Sequence, residues 1–205
     1  YNPELKGATN FVPGVMALVL MLVCVVMTSV SIVREKETGT MEVLLVSPFN
    51  PFLVIISKAV PYLVLSLLNL IIILVLSVFL LDMPINGSVL LLFAESTLLI
   101  ITALSLGLLI SNNTDSQQTA MLISMMGMML PTMFFTGFMF PLENMPVLLQ
   151  VISNVVPSKW YYIIVKSIMI KGLGFKAIWK ETLVLFGMTC FFLIISFKKF
   201  KIRLA

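Results

Sequence analysis

The stretch Arg34-Glu35-Lys36-Glu37-Thr38-Gly39-Thr40-Met41-Glu42-Val43-Leu44-Leu45-Val46-Ser47-Pro48 is a charged interval between two long apolar runs. Residues 11–33 before it carry no charge, and residues 59–81 after it are again apolar. Each Arg or Lys at mid-bilayer costs about 2.5–3.5 kcal/mol on insertion scales, so the interval cannot lie in hydrocarbon. The sequence therefore predicts that residues 34–58 lie in water between two membrane crossings.

Within this interval the pattern predicts a short amphipathic helix. Thr40 is placed to cap its N-terminus, Glu42 complements the positive end of its dipole, and Pro48 ends it. Met41 and Leu44 lie three residues apart and start an apolar stripe beside a polar edge. Such a helix outside the membrane needs a partner surface. The alternative is a solvated charged loop that only fixes the topology.

The composition indicates a polytopic membrane protein. Of the 205 residues, 60% are hydrophobic and only 11% are charged, and the mean hydropathy is +1.13. A soluble domain carries roughly 25% charged residues. The fold class predicted is an all-α helical bundle with about five transmembrane helices and two short re-entrant or outer-interface helices, in a single transmembrane domain over residues 1–205.

The apolar runs place the five spans at residues 11–33, 59–81, 88–110, 119–140 and 182–197. Each of the first four exceeds or approaches the ~20 residues that cross a bilayer, and Lys180 and Lys198 can extend the short fifth span by snorkelling. Arg34 and Lys36 mark the end of the first span as cytoplasmic by the positive-inside rule. The basic residues of 198–203 are placed on the same side.

Residues 141–180 predict two half-length helices in the outer leaflet. Pro157 cuts an apolar helix that begins near Pro146 after about eleven residues, or ~16 Å, and a second helix follows over residues 158–171. Re-entrant pieces are tolerated where protein or a wet cavity surrounds them. The alternative is one full span, which would turn the C-terminus outward and bury Pro157, Lys159 and Lys166 at mid-bilayer.

The sequence lacks the residues that several classes of function require. Histidine is absent, and no Ser/His/Asp set, paired carboxylates, Cys/His metal spacing or Gly-x-x-x-x-Gly-Lys-Ser/Thr loop is present. Cys24 and Cys190 lie in apolar runs as small hydrophobic residues. The basic residues lie at span ends, which does not fit a nucleic-acid groove. We therefore expect no catalytic residue, no metal ligand and no cofactor on this chain, which cannot hydrolyse ATP by itself.

Glu95 is the carboxylate placed well inside a predicted span. An ionisable group at this depth is by default a functional hypothesis, here a substrate contact, a proton site or an ion pair with Lys166. The alternative is a protonated or hydrogen-bonded Glu that faces the bundle, aided by Ser96 and Thr97.

The fourth span combines helix-modifying residues with methionines. Pro131 allows a kink, and Gly127 and Gly137 permit close helix approach. Its methionines offer either an adaptable surface for apolar ligands or ordinary packing: Met121, Met125, Met126, Met128, Met129 and Met133. The candidates for a translocation path are Glu95, Pro131, Gly137 and Lys166.

Residues 34–48 resemble the cytoplasmic signature Arg-Glu-x-Glu-x-Gly-Thr-x-Glu-x-Leu-Leu-x-Ser-Pro of type-2 ABC exporter permeases. Thr136-Gly137-Phe138-Met139-Phe140-Pro141-Leu142-Glu143-Asn144-Met145-Pro146 is similar to their Ser-Gly-Phe-x-Phe-Pro-x-x-x-Met-Pro segment, with Thr where Ser is usual. Asn2-Pro3-Glu4-Leu5, and Pro157 followed by Trp160-Tyr161-Tyr162, extend the resemblance over essentially the whole chain.

The resemblance implies a multi-pass permease of the cytoplasmic (inner) membrane that pairs with a second permease copy, identical or not. ATP and Mg²⁺ would be held by two partner ATPase subunits. The segment that transmits ATPase motion would comprise Glu35, Glu37, Gly39, Thr40, Met41 and Glu42. A further span and an outer domain usually precede this region, so the sequence is expected to be part of a longer protein. The substrate does not follow from these motifs.

Two rival functions fit parts of the sequence. A membrane scaffold could recruit a cytoplasmic protein through the charged interval without transporting anything. A membrane-embedded lipid-modifying enzyme would need clustered carboxylates or histidines at the membrane face, which the sequence does not carry.

Overall fold

The computed structural model describes residues 8–39, 51–81, 83 and 85–199. Within these ranges it is helical, with no strand and with one 3-10 turn, Leu142–Asn144. The α-helices are α1 (Ala8–Glu37), α2 (Pro51–Phe79), α3 (Val89–Asn112), α4 (Gln117–Phe135), α5 (Val147–Ser153), α6 (Pro157–Met169) and α7 (Phe175–Lys199). The predicted all-α class is confirmed.

Five of these helices are long and apolar enough to cross a membrane, by length and composition. The segments that qualify are Phe11–Glu37, Ala59–Phe79, Val89–Asn112, Gln117–Phe135 and Phe175–Ser196. The chain is therefore a multi-pass integral membrane protein. The predicted aqueous segment, residues 34–58, overlaps the end of α1 and the start of α2, and residues 40–50 lie outside the described residues.

Several helix ends differ from the predicted span limits, among them the start of α2, which lies at Pro51 and not at 59. Helix α1 continues to Glu37, four residues past the apolar run, because hydropathy reports depth in a membrane and not the end of a helix. Helix α4 ends at Phe135 and not near residue 140, since Gly137 adopts a φ of +88°. Helix α7 starts at Phe175 and not at 182, which makes the last candidate span 22 residues long and not 16.

The predicted pair of short helices before α7 is present with altered lengths. Helix α5 has 7 residues, fewer than the eleven expected, and α6 has 13. Pro157 is the first residue of α6, where a missing N–H leaves no bond unmade. Helix α6 is largely buried whereas α5 is largely exposed. Whether the pair re-enters the membrane stays a prediction.

The end of α6 is closed by a glycine. Gly172 has a φ of +63°, its N–H donates to the Ile168 carbonyl at 3.2 Å, and the Leu173 N–H donates to the Ser167 carbonyl at 3.0 Å. The first of these is the 5→1 bond of the αL cap, which satisfies a carbonyl at a helix C-terminus. The Asn86 N–H donates to the Met169 carbonyl at 3.1 Å, so the connection from α2 to α3 is bonded to the end of α6.

Helix α3 lies at the centre of the bundle, with α1, α2, α6 and α7 packed around it. Gly107 brings α3 close to α1, because a Cβ at this position would lie 2.7 Å from the Thr28 Cβ and 3.0 Å from the Val25 carbonyl oxygen. Helix α4 packs mainly on α1. Fully buried side chains such as Leu99 and Ile164 fill the space between these helices.

Candidate functional site

Three of the six predicted coupling residues lie at or just after the C-terminal end of α1. Glu35 and Glu37 are in its last turn, and Gly39 follows with a φ of +72°, a conformation that L side chains rarely adopt. The Thr38 hydroxyl donates to the Arg34 carbonyl at 2.9 Å and helps to end the helix. Thr40, Met41 and Glu42 lie outside the described residues.

Two neighbouring residues of α1 hold the turn between α3 and α4. The Lys36 ammonium donates to the Ser111 carbonyl and, at 3.5 Å, to the Thr114 carbonyl. The Glu37 carboxylate accepts the Gln117 backbone N–H at 2.9 Å and also the Gln117 side-chain N–H. Charge-assisted hydrogen bonds therefore connect the end of α1 both to the end of α3 and to the start of α4.

Glu95 lies in the interior of the bundle, with 3% of its surface exposed. The Thr182 hydroxyl of α7 donates to its Oε1 at 2.8 Å, and its Oε2 has no hydrogen-bond partner. The Glu95–Lys166 ion pair considered from the sequence is not formed. Ser96, expected to support Glu95, instead bonds the Tyr161 hydroxyl of α6 at 2.7 Å. The arrangement is that of a carboxyl group facing packed helices.

Polar groups on the C-terminal side of Glu95 in α3 are hydrogen-bonded to α7. The hydroxyls of Thr102 and Thr189 lie 2.6 Å apart. The Ser196 hydroxyl donates to the Ser105 carbonyl at 2.9 Å, and the Asn112 amide donates to the Ser196 carbonyl at 3.0 Å. Interhelical hydrogen bonds of this kind contribute about 0.6–1.7 kcal/mol each in a membrane. They fix the register of α7 along α3.

Lys166, the second ionisable candidate for a translocation path, lies on α6. Its ammonium is 5.7 Å from the centre of the Tyr162 ring. Burial lowers the pKa of Lys166, and the positive charge of Lys171 lowers it further. Burial also lowers the pKa of Lys159, whose ammonium donates to Asn154 Oδ1 at 2.7 Å.

Pro131 and Gly137 lie towards and just after the C-terminal end of α4. Pro131 is inside the helix, and the next hydroxyl, Thr132, accepts from Ser158 of α6 at 3.1 Å. Thr136 donates to the Thr132 carbonyl at 2.6 Å before the chain turns at Gly137. In the part of the chain that the structure describes, no hydrogen bond joins any two of the four path candidates. Whether they line one path stays a prediction.

Helix α4 presents an apolar face that the other described helices of this chain leave uncovered. A Cβ added at Gly127 would meet nothing within 4 Å. The exposed side chains of this face are Met121, Leu122, Met125, Met126, Met129, Leu130 and Phe134. The opposite face packs on α1, where the hydroxyls of Ser29 and Ser124 lie 2.7 Å apart. The methionines expected to be either core or contact surface are thus mostly surface in a single chain.

Sequence reasoning missed the bonds that connect the spans. Cys24 and Ser66 join α1 to α2 at 2.9 Å, and Tyr62 of α2 donates to Ser31 of α1 at 2.5 Å. The available signal was the set of small polar residues inside otherwise apolar runs, which membrane helices use at their contacts. Their partners could not be paired from the sequence alone.

Known proteins resemble this chain over most of its length. A family model described as ABC-2 family transporter protein matches residues 1–198. The probable multidrug ABC transporter permease YbhR of Escherichia coli K12 is 32% identical over 181 residues, which are 88% of this chain and 49% of that protein. YbhS, with the same description and from the same strain, is 30% identical over 172 residues, 84% of this chain and 46% of the relative.

The inner membrane transport permease YhhJ of the same strain is 30% identical over 208 residues, covering 98% of this chain and 54% of the relative. The chain thus spans about half the length of these curated relatives. No solved structure gives a significant match.

Proposed function

Since this chain belongs to the ABC-2 family of transporter proteins, we propose that it is the membrane-spanning part of a permease in an ATP-driven exporter of the bacterial cytoplasmic membrane. The single observation that carries the proposal is that the family match runs over residues 1–198 and so includes all five candidate spans. YbhS and YbhR, described as probable multidrug transporter permeases, support a transport role.

ATP hydrolysis is assigned to a separate cytoplasmic ATPase. The sequence has no phosphate-binding loop, so ATP and Mg²⁺ would be bound by that partner and not by this chain. The segment beginning at Glu35 and Glu37 and continuing through Thr40, Met41 and Glu42 is the proposed contact with it. Support comes from the charge of the segment and from its position directly after α1.

A second permease copy is the other proposed partner, and the exposed face of α4 is its contact surface. In a single chain this face leaves large apolar side chains such as Met126 uncovered, and Gly127 allows another helix to approach closely. A path between two copies would then run beside α4 and not past Glu95, which faces α7.

Purification of the full-length protein from detergent extracts of its native cells tests the ATPase assignment. An ATPase subunit should be retained with the permease, and charge reversal at Glu42 should weaken its retention while the permease remains folded. Arg34→Gln, at an exposed position eight residues earlier, is the control. If only proteins without an ATP-binding motif are retained, the scaffold hypothesis replaces this one.

Transport is tested with inverted lipid vesicles that contain the permease and the ATPase. Uptake of a lipophilic fluorescent dye is measured with the wild-type ATPase and with an ATPase that binds but does not hydrolyse ATP. We expect uptake only with the active ATPase, since an exporter moves its substrate into inverted vesicles. Retention of an ATPase without ATP-dependent uptake of any dye in a broad panel would contradict the exporter function.

A further inference from the structure

At the turn between α3 and α4, one backbone group of each helix end is bonded by a side chain of α1. Ser116 stands at the N-cap of α4 but makes no side-chain bond to the first turn. The last carbonyls of α3, including that of Ser111, need donors because a helix leaves its final four carbonyls unpaired. The Asn113 and Thr114 side chains of the turn donate to the Leu109 and Ile110 carbonyls. The Ser111 carbonyl accepts from Lys36 of α1, and the first N–H of α4, that of Gln117, donates to Glu37.

The signs of the charges match the helix dipoles. The Glu37 carboxylate lies at the N-terminus of α4, where the dipole is positive, and the Lys36 ammonium lies at the C-terminus of α3, where it is negative. Two adjacent residues of α1 thus cap two helix ends, and each has the charge opposite to that of the end it caps. We call this arrangement the Lys36–Glu37 double cap.

We infer that the double cap makes the end of α1 and the α3–α4 turn move as one body, so that Lys36 and Glu37 are positioning residues that carry motion from the coupling segment to α3 and α4. This inference rests on the proposed function for its source of motion, the ATPase. Helix α1 is continuous up to Glu37, and the chain leaves the helical conformation after the double cap, at Gly39. A displacement of the segment beyond Gly39 that reaches α1 therefore reaches all three helices.

Besides Arg34 and Glu35 of α1, a charge of the α3–α4 turn lies near the double cap. Asp115, exposed in the same turn, lies close enough to Lys36 to interact with it electrostatically. Among the described residues, the Asp115 side chain makes no hydrogen bond to either capped helix end. The capping role therefore belongs to Lys36 and Glu37, which bond directly to helix-end backbone groups.

The first test uses the full-length permease in lipid nanodiscs, with Cys24 and Cys190 replaced by serine and spin labels at Arg34→Cys and Asn113→Cys. The distance between the labels is measured without nucleotide and in the vanadate-trapped complex with the ATPase. We expect one narrow distance in both states, and a broadened distribution for Glu37→Ala. A distance that shifts by several ångströms between the states in the protein with Glu37 intact would overturn the inference.

The second test measures coupling and local stability. Glu37→Ala should accelerate hydrogen exchange in the first turn of α4 roughly fivefold and lower transport per ATP hydrolysed, whereas Glu37→Asp should partly restore both. Gln117→Ala, which removes one bond to Glu37, should have a smaller effect, and Gln118→Ala, at the exposed neighbouring position, should have none. Unchanged exchange and unchanged coupling in Glu37→Ala would refute the double cap.

Failure of the proposed function gives a different result. If no ATPase is retained, the source of motion is absent, but exchange and label distances in the isolated permease still report whether Lys36 and Glu37 join the three helices. If the double cap is rigid but no ATPase is retained, Lys36 and Glu37 still join the three helices but have no role in coupling.

Discussion

Helices α3 and α4 follow one another through a single turn, yet their surroundings are opposite. Of the candidate span in α3, 56% is buried inside the chain, against 17% for α4. Helix α3 is bonded to α6 through Ser96 and to α7 through Thr102, whereas α4 bonds α1 through Ser124 and leaves its methionines outside. The difference indicates that α3 holds the subunit together and that α4 is available to a neighbour.

The largest effect is expected from Gly107→Leu in α3. A side chain here meets Thr28 and the backbone oxygen of Val25, which cannot move aside without shifting α1. Overpacking of this kind costs on the order of 3 kcal/mol. Thermal unfolding in detergent measures it. Gly187→Leu in α7, where a Cβ meets nothing within 4 Å, is the matched control and should unfold close to the wild-type temperature.

Gly127→Leu tests the other side of the comparison. The space around Gly127 is open in the single chain, so the variant should fold normally but keep a second helix at a distance. We expect roughly tenfold weaker self-association, measured by energy transfer between labelled copies in lipid vesicles. Equal association of Gly127→Leu and wild type would assign the α4 face to lipid.

Thr182→Val tests whether the polar contacts around α3 stabilise the protein. The change removes the donor to Glu95 and leaves both carboxyl oxygens without a partner, which should destabilise the protein by about 1 kcal/mol. Thr97→Val is the control, because the Thr97 hydroxyl donates to the Phe93 carbonyl of its own helix. A loss equal in both variants would argue against an interhelical role for Thr182.

The smallest effect is expected from Glu95→Gln. The amide keeps a carbonyl oxygen for the Thr182 hydroxyl, so dye transport and its dependence on pH should stay close to wild type. If the variant abolishes transport or flattens its pH profile, Glu95 acts as a proton or substrate site despite its burial.

The sequence predicted the fold class and the approximate place of each span because long apolar runs have few alternatives. It predicted the break before α6 from Pro157. It did not predict where α7 begins, since the apolar run starts only near residue 182 although the helix starts at Phe175. Hydropathy does not distinguish a charged helical turn from a loop.

The candidate sites were harder to predict than the fold. Glu95 stood out in the sequence, but its partner is Thr182, 87 residues away, and no local pattern pairs the two. Lys36 entered the prediction for its charge and Glu37 as a contact for another protein, while their bonds to the α3–α4 turn depend on packing that only the folded chain provides.

The bond between Asn86 and the end of α6 has a practical consequence for mapping the topology. An epitope inserted next to Asn86 must break that bond and press on Ile168, whose carbonyl oxygen is 2.5 Å from the place of a Cβ at Gly87. An epitope at Gly174 meets no such obstacle. Antibody access to Gly174 on intact cells would therefore establish on which side of the membrane the loop before α7 lies.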